Sequence, residues 1–362
     1  MPGIAFYAPM KPPDDPVPSG DRTMARALVT ALEGTGLGDI SLISRLRSRD
    51  RVGDLEIQDG IFRAAEAEIE RLAAEARPAL WLTYHSYYKA PDLLGPALSR
   101  HWGIPYALIE ATRASKRLHG PYARFAKAAE EACDAADLIF YLTEHDREAL
   151  ERDRPPGQRL VGLRPFLGKE ALDPAIPHPR SGTVRLLACA MFRTGDKLAS
   201  YKALAAALVL VRSDWTLTII GDGPARAEVE ALFSQFGNRV TFLGAVEQDA
   251  VAEHFRTGDL LVWPGVGEAF GMVYLEAQAQ GCPVLAEDRP GVREVVRDGG
   301  RLVPAGNSSA FAEAMDTLVS DPDARLALGR KARAQIAEDH LLGAARDTLK
   351  ASLGPLMMGQ HR

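Results

Sequence analysis

Short apolar runs of strand length alternate with stretches of helical period through most of this chain. That alternation restricts it to layered α/β architectures with parallel sheets. In the first half, Ile4–Tyr7, Asp39–Leu42, Ala79–Thr83, Tyr106–Ile109 and Leu138–Leu142 read as strands, separated by helical stretches such as Thr23–Glu33, Phe62–Ala76 and Tyr122–Ala135. The pattern loosens at Pro174–Gly182, PAIPHPRSG, whose prolines suit a semi-rigid linker. It restarts with Val184–Ala190, Thr216–Ile220, Val240–Phe242, Leu260–Trp263 and Pro283–Ala286 as strands. At 362 residues the chain is too long for one ordinary core. Two successive α/β domains are therefore expected, residues 1–175 and 176–340, with a ligand cleft between them. No short fixed-period repeat is evident.

The bulk properties narrow the function. A formal net charge of -5 disfavours a nucleic-acid binder acting by bulk attraction. Cys133, Cys189 and Cys282 are odd in number and share no CxxC spacing, which points to a reducing compartment and away from structural zinc. Asn307-Ser308-Ser309 fits a glycosylation sequon, but without a secretory signal it reads better as a helix-capping loop. The opening MPGIAFYAPM has no basic n-region, and the longest apolar run, Ala203 to Val211, is too short to span a bilayer. A cytoplasmic protein is expected.

The densest chemistry lies in residues 263–284, WPGVGEAFGMVYLEAQAQGCPV. A strand end gives way to a Gly/Pro loop, then a helix of about ten residues from Gly271 to Gln280, then a stop at Gly281-Cys282-Pro283. A helix opening after such a loop aims its free N–H groups forward, so Phe270, Gly271, Met272 and Val273 form a cradle for phosphate. Glu276 falls about 7.5 Å along the helix axis. Glu268 stays in the loop before the first turn. One acid is thus placed beside the anion site and one beyond it, as a diphosphate with a sugar on each side requires. The competing readings are an N-terminal acid favoured by the helix dipole for Glu268 and an exposed helix carboxylate for Glu276. Phe270 is as readily core as contact.

Several elements in order carry a resemblance to a known family. Leu187-Ala188-Cys189-Ala190-Met191-Phe192-Arg193 comes first, then the GDGP turn Gly221-Asp222-Gly223-Pro224 behind Ile219-Ile220. Val240–Gly244 follows as the next strand and glycine, then Glu268 to Glu276 as an EX7E element, then Gly281–Val284. From about Val184 to Val319 the chain resembles the retaining glycosyltransferases of family 4. The resemblance implies the GT-B architecture: two Rossmann-like domains, α/β with parallel sheets, facing a central cleft. It also implies that residues 341–362 could form a helix crossing back to the first domain. The first half resembles the family more weakly, in Tyr7 to Arg22, with Gly20 near the helix start, and in Leu138 to Leu150. The histidine that many members carry after the strand equivalent to Tyr106–Ile109 is missing, and Glu110-Ala111-Thr112-Arg113 stands there instead.

The chemistry each piece can carry follows. Departure of a diphosphate builds negative charge, which a metal ion or fixed cations can stabilise. No clustered DxD appears; Asp222 is isolated in its turn. Arg193 and Lys197, in FRTGDK after a strand, can converge on phosphate as fork and point charge, or be solvated loop cations. The family usually spaces this pair one residue wider, which makes Lys202 a competitor for Lys197. Glu276 would accept the ribose hydroxyls. By resemblance Glu268 touches the transferred sugar. Base recognition would fall near Gly221–Gly223 and Leu243–Val246, with Gly244 among them.

On the acceptor side stand His85 in TYHSYYK, Glu110, Arg113 and Gly20; a lone histidine is more often structural, and Glu110 could equally be a buried partner of Arg113. Two basic groups, Arg113, Lys116, Arg117, Arg124 and Lys127 with His119 and Tyr122, and Arg45, Arg47, Arg49 and Arg51, could bind a phosphorylated or lipid-linked acceptor. They could also touch an anionic membrane surface, or simply form a solvated face. The expected activity is retaining, metal-independent sugar transfer from a nucleotide diphosphate sugar, the donor substrate, to a glycan, lipid-linked or small-molecule hydroxyl, with no cofactor. The resemblance implies a same-face mechanism in which the departing phosphate oxygen helps deprotonate the acceptor. A sugar-nucleotide epimerase or phosphorylase on the same fold, or a catalytically silent nucleotide-sugar-binding protein, are the alternatives. A nicotinamide dehydrogenase is disfavoured, because no GxGxxG follows Ile4–Tyr7.

Overall fold

A computed structural model describes residues 3–17, 19–174 and 182–359. Most of the proline-rich linker, residues 175–181, lies outside them. The chain forms two compact units, Met1–Gly168 with Leu342–Arg362, and Lys169–Leu341.

In the first unit β1 (Ile4–Tyr7), α1 (Gly20–Glu33), β2 (Ile40–Ser44), α2 (Leu55–Ala73) and β3 (Leu80–Ser86) come in order. They are followed by α3 (Gly95–Trp102), β4 (Tyr106–Ala111), α4 (Ala123–Ala135), β5 (Leu138–Tyr141), α5 (Glu144–Arg152) and β6 (Arg159–Gly162). The strands form one parallel sheet in the order β2-β1-β3-β4-β5-β6. Central strands covered by helices on both faces read as continuous apolar runs: β1, IAFY, is buried at every position, and so are six of the seven residues of β3. Helix starts are set by side-chain caps, such as Ser19 accepting from Arg22 N–H and Asp54 accepting from the N–H groups of Glu56 and Ile57. That second cap begins α2 at Leu55, seven residues before the Phe62 start expected from periodicity.

The second unit runs β7 (Val184–Cys189), α6 (Asp196–Leu208), β8 (Trp215–Ile220), α7 (Arg226–Phe233), β9 (Val240–Gly244), α8 (Gln248–Thr257) and β10 (Leu260–Val262). It continues with α9 (Met272–Ala279), β11 (Val284–Asp288), α10 (Pro290–Val296), β12 (Gly300–Pro304), α11 (Ser308–Ser320) and α12 (Pro322–Asp339). Its parallel sheet has the order β12-β11-β10-β7-β8-β9. The last helix, α13 (Leu342–Met357), belongs to the first unit and packs on α1. There Gly34 lies so close to Arg346 that a Cβ would stand 2.4 Å from its Nε.

Two strands were not expected from the sequence, β6 and β12. Each pairs along one edge only, with β5 and β11. Neither shows a buried stripe, β6 having no buried residue and β12 one. Among the described residues no helix is long and apolar enough to cross a membrane.

Candidate active site

In the second unit the strand order reverses between β7 and β10, and such a switch point opens a crevice at the strands' carboxyl ends. The loop after β7 carries Arg193 and leads into α6, whose second residue is Lys197. The loop after β10 carries Glu268. The Lys197 ammonium donates to Glu268 Oε1, and the Trp263 indole N–H donates to the same oxygen at 3.0 Å. Both bonds fall on Oε1, so Oε2 keeps its capacity to accept. The loop is pinned from beneath: Val266 N–H donates to Ser200 Oγ at 2.9 Å, and the buried Tyr274 hydroxyl donates to Trp263 O at 3.0 Å. Glu268 is therefore a carboxylate in a prepared position, with 11% of its side chain exposed.

The helix that follows is α9, Met272–Ala279, eight residues where about ten were expected, because Gly271 is its cap and Gln280 already leaves it. Gly271 has φ 82°, and a Cβ there would stand 2.7 Å from ring carbons of Tyr274. Only glycine satisfies both demands. Phe270 and Met272 are buried, and Val273 is half-buried.

Glu276 is the fifth residue of α9. The residue is half-buried, and the burial around it pushes its carboxyl pKa up to about 7. No side chain or backbone group among the described residues bonds to it. It does lie near Cys189. Burial raises the Cys189 thiol to about 12, and Glu276 and Lys197 are the charges that act on it, upward and downward respectively. Lys202, five residues after Lys197, is turned by roughly 140° round the helix and is exposed, whereas Lys197 bonds to Glu268. The Arg193 side chain is half-buried and takes no ion pair among the described residues.

The GDGP turn is stitched to the segment before Arg193. Ala190 N–H donates to Ile220 O at 3.0 Å, Phe192 N–H to Asp222 O at 3.0 Å and Ala225 N–H to Phe192 O at 2.9 Å. Gly221, at φ 148°, would put a Cβ 2.0 Å from Ala190 O, and Gly223 would put one 2.5 Å from Phe192 O. The close approach these glycines permit is thus between two protein strand ends, which places Arg193. Gly244 O accepts from Gly221 N–H at 2.9 Å, and Asp222 pairs with Arg226 at 3.1 Å on the surface.

The first unit has its own switch point, between β1 and β3. His85 lies within β3 and Glu110 within β4, each one residue from the strand's end, whereas both were expected just beyond a strand. Both are non-glycine residues in the left-handed region, with φ 61° and 58°. His85 Nδ1 stands 3.2 Å from Asp21 Oδ1 and 3.8 Å from Glu110 Oε2. Burial works against a charged His85, but the Glu110 charge and the Asp21 hydrogen bond outweigh it and raise the imidazole to about 9. Burial raises Glu110 to about 7, with His85 opposing and Asp21 and Asp146 adding. Asp21, despite burial, is held below the usual range by His85, then by Arg49 and Lys11. Glu110 Oε2 is buried without a hydrogen-bond partner.

Glu110 is not the partner of Arg113. That guanidinium turns to Glu130 and Asp134, at 2.6 Å each. Asp21 escaped the sequence reading, and the only signal for it was its place in the first turn of α1, directly after Gly20. Gly20 itself is the exposed first residue of that helix. Of the basic runs, Arg45 and Arg47 pair with Asp14 and Asp15, Arg124 with Asp59 and Lys127 with Glu131. Among the described residues no group of three His, Cys, Asp or Glu side chains is placed to hold a metal.

Residues 184–321 match the family model described as glycosyl transferases group 1. A D-inositol 3-phosphate glycosyltransferase of Pseudarthrobacter chlorophenolicus is 29% identical over 305 residues, covering 75% of this chain and 70% of the relative. Sucrose-phosphate synthase from Thermosynechococcus elongatus superposes with a TM-score of 0.76 at 18% identity, covering 99% of this chain and 100% of that structure. An Anabaena protein solved with UDP-glucose gives 0.71 at 15% identity, over 97% of this chain and 99% of the other.

Proposed function

We propose that the chain is a glycosyltransferase of GT-B architecture that moves a sugar from a nucleoside diphosphate donor to an acceptor hydroxyl with retention of anomeric configuration, a reading supported by the group 1 glycosyl transferase match over residues 184–321 and by the shared fold. The observation that carries the proposal is the pair of glutamates around Gly271. Glu268 is fixed through one oxygen by Lys197 and Trp263, and Glu276 is half-buried, with a raised pKa and no protein hydrogen bond among the described residues. A partly desolvated carboxylate with no partner is costly unless something else donates to it. The vicinal hydroxyls of a ribose do so two at a time. The sugar of the donor then falls toward Glu268, whose Oε2 takes a hydroxyl, and the diphosphate lies between them at the start of α9 and beneath Arg193.

In the proposed step the bond from the sugar's anomeric carbon to the diphosphate oxygen breaks, and the acceptor oxygen bonds to that carbon on the same face. The acceptor proton passes to the departing phosphate oxygen. Arg193 and Lys197 stabilise the charge on that leaving group, supplying what a divalent ion would otherwise bring, which supports the metal-independent reading. Lys197 also ties the leaving-group side to Glu268. His85, Glu110 and Asp21 are proposed to orient the acceptor hydroxyl in the first unit. The nucleotide-sugar reading is further supported by the relative named for glycosyl transfer and the structural neighbour solved with UDP-glucose.

A thermal-shift screen of UDP, GDP, ADP and dTDP sugars tests the proposal. The true donor at a hundredfold excess over its dissociation constant stabilises by about 2.7 kcal/mol. With the donor known, NMR of the product gives the anomeric configuration, and turnover in EDTA tests metal independence. No shift with any nucleotide sugar would overturn the donor site, and an inverted product would overturn the same-face mechanism.

A further inference from the structure

The loop after β3 continues from His85 into an aromatic ladder. The His85 and Tyr87 rings stand 5.0 Å apart, Tyr87 and Tyr88 5.5 Å, and Tyr88 and Tyr122 5.3 Å. Cations lie on this ladder. Lys89 Nζ is 5.6 Å from the centre of Tyr88 and 5.8 Å from that of Tyr122, and the Arg117 guanidinium is 5.0 Å from the centre of Tyr88. A third, Arg49, comes from the loop after β2, which is tied alongside by Asp50 N–H donating to Lys89 O at 2.9 Å and Ser48 Oγ donating to Pro91 O. Burial is the main cause that raises Tyr87 to about 12, with Arg49 acting against it, and Arg49 acts on Asp21 as well. Its neighbours Ser48 and Asp50 thus hold Arg49 on the loop that runs beside Lys89.

These three cations differ from the other basic residues nearby. Arg45, Arg47, Arg113 and Arg124 each have a carboxylate at ion-pair distance, whereas none of the described residues gives one to Arg49, Lys89 or Arg117. Arg49 Nε is buried with no hydrogen-bond partner. The acids of the neighbourhood are already engaged. Asp50 accepts from the N–H groups of Val52, Gly53 and Asp54 and from the Gln58 amide, and Asp21 is bonded to His85. An orphan guanidinium N–H beside two further unpaired cations is an arrangement that an anion completes. The rings of Tyr87 and Tyr88 are half-buried beside these cations.

We propose that Arg49, Lys89 and Arg117, set along Tyr87 and Tyr88, form an acceptor subsite for a hydroxylated ring that carries a phosphate or carboxylate group. The hydroxyl to be glycosylated lies at His85 and Glu110, and the anion lies on the three cations. This subsite rests on the transferase reading, and its test keeps the two separable.

Calorimetric titration of the full chain, in the presence of the donor nucleotide, compares glucose 6-phosphate and inositol 3-phosphate with glucuronate, and all three with glucose and inositol. Saturable binding of the phosphates or of glucuronate, at least about tenfold tighter than the neutral rings, is expected from a charge-assisted contact, and it says which anion the site takes. Arg49→Gln and Arg117→Gln should each weaken that binding by about tenfold or more, and Arg124→Gln should leave it unchanged. The exposed Arg117 gives a variant whose folding is secure, so a null result is informative. Donor nucleotide binding stays intact in all three. Equal affinity for neutral and anionic rings, or unchanged affinity in both variants, overturns the subsite. Loss of nucleotide binding by the unmodified chain would instead overturn the transferase reading.

Discussion

Replacing Glu276 by glutamine should stabilise the free protein and weaken its donor at the same time. Burial lifts the Glu276 pKa from 4.5 to about 7. That difference of about 2.5 units corresponds to about 3 kcal/mol once the group is charged in both folded and unfolded chains, as an upper value. The sign follows from the raised value. Between the unfolded and folded pKa the native state binds more protons than the unfolded chain, so stability falls as pH rises from about 4.5 to about 7. Below that window the carboxyl is neutral in both states and the penalty vanishes. Glutamine keeps the shape and removes the charge, so Glu276→Gln should gain about 2–3 kcal/mol over the parent at pH 8 and almost nothing at pH 4.5. Donor affinity moves the other way. Losing charge-assisted hydrogen bonds to two hydroxyls costs about 1.5–3 kcal/mol, roughly a 10- to 150-fold rise in Kd. Urea unfolding of both proteins at the two pH values, with nucleotide titration at pH 8, measures both effects. A variant less stable than the parent at pH 8, or one that binds the nucleotide equally well, would refute the assignment of Glu276 as a desolvated carboxylate awaiting ribose.

Other substitutions test the remaining parts. Lys197→Met leaves Glu268 with the Trp263 indole alone and removes a leaving-group cation, so kcat should fall by about 10²–10³ in steady-state assays while Lys202→Met changes little. The His85 contribution to stability is fully present below its unfolded pKa of about 6.5 and is lost as pH rises through about 9, because the folded value is the higher one. His85→Gln should therefore cost about 2 kcal/mol at pH 6 and progressively less toward pH 10 in denaturant titrations. Gly221→Ala forces a Cβ to within 2.0 Å of Ala190 O at a φ of 148°. It should lower the melting temperature sharply and reduce donor affinity through the displaced Arg193, whereas Gly20→Ala, at an exposed helix start, should alter the melting temperature little.

The loop and helix that carry the two glutamates were readable because their determinants are contiguous. Glu268, Gly271 and Glu276 lie within one loop and helix, and their spacing fixes where each acid stands relative to the helix start. The two parallel sheets were readable for a related reason, since strands buried on both faces write long apolar runs. What escaped was local and unpatterned. The edge strands β6 and β12 bury too little to leave a stripe, so RLVG and GRLVP pass for loop. The GDGP turn is legible, but nothing in the sequence says that Ala190 and Phe192 press against it. Of the four arginines in alternation, Arg45, Arg47 and Arg51 are exposed as a solvated face has them, and only Arg49 departs from it, half-buried with its Nε enclosed.

The centre of the first unit shows why an acceptor site is hard to read from sequence. Asp21 and His85 are 64 residues apart, and they meet only because the strand order places β3 beside β1. The left-handed backbone at His85 and Glu110 leaves no compositional mark, since neither is a glycine or an asparagine. Each such residue costs of order 1 kcal/mol or more, and strain of that kind persists where the surrounding structure holds it for use. Here it occurs twice, on neighbouring parallel strands, and aims an imidazole and a carboxylate at each other with Glu110 Oε2 left over. That oxygen stands 3.8 Å from His85 Nδ1 yet takes no hydrogen bond, and Arg113, three residues on, is bound to Glu130 and Asp134 instead. The same unit therefore holds an unspent acceptor on Glu110 and an unspent donor on Arg49, joined by the rings of His85 and Tyr87. A ligand with a hydroxyl at one end and an anion at the other uses both.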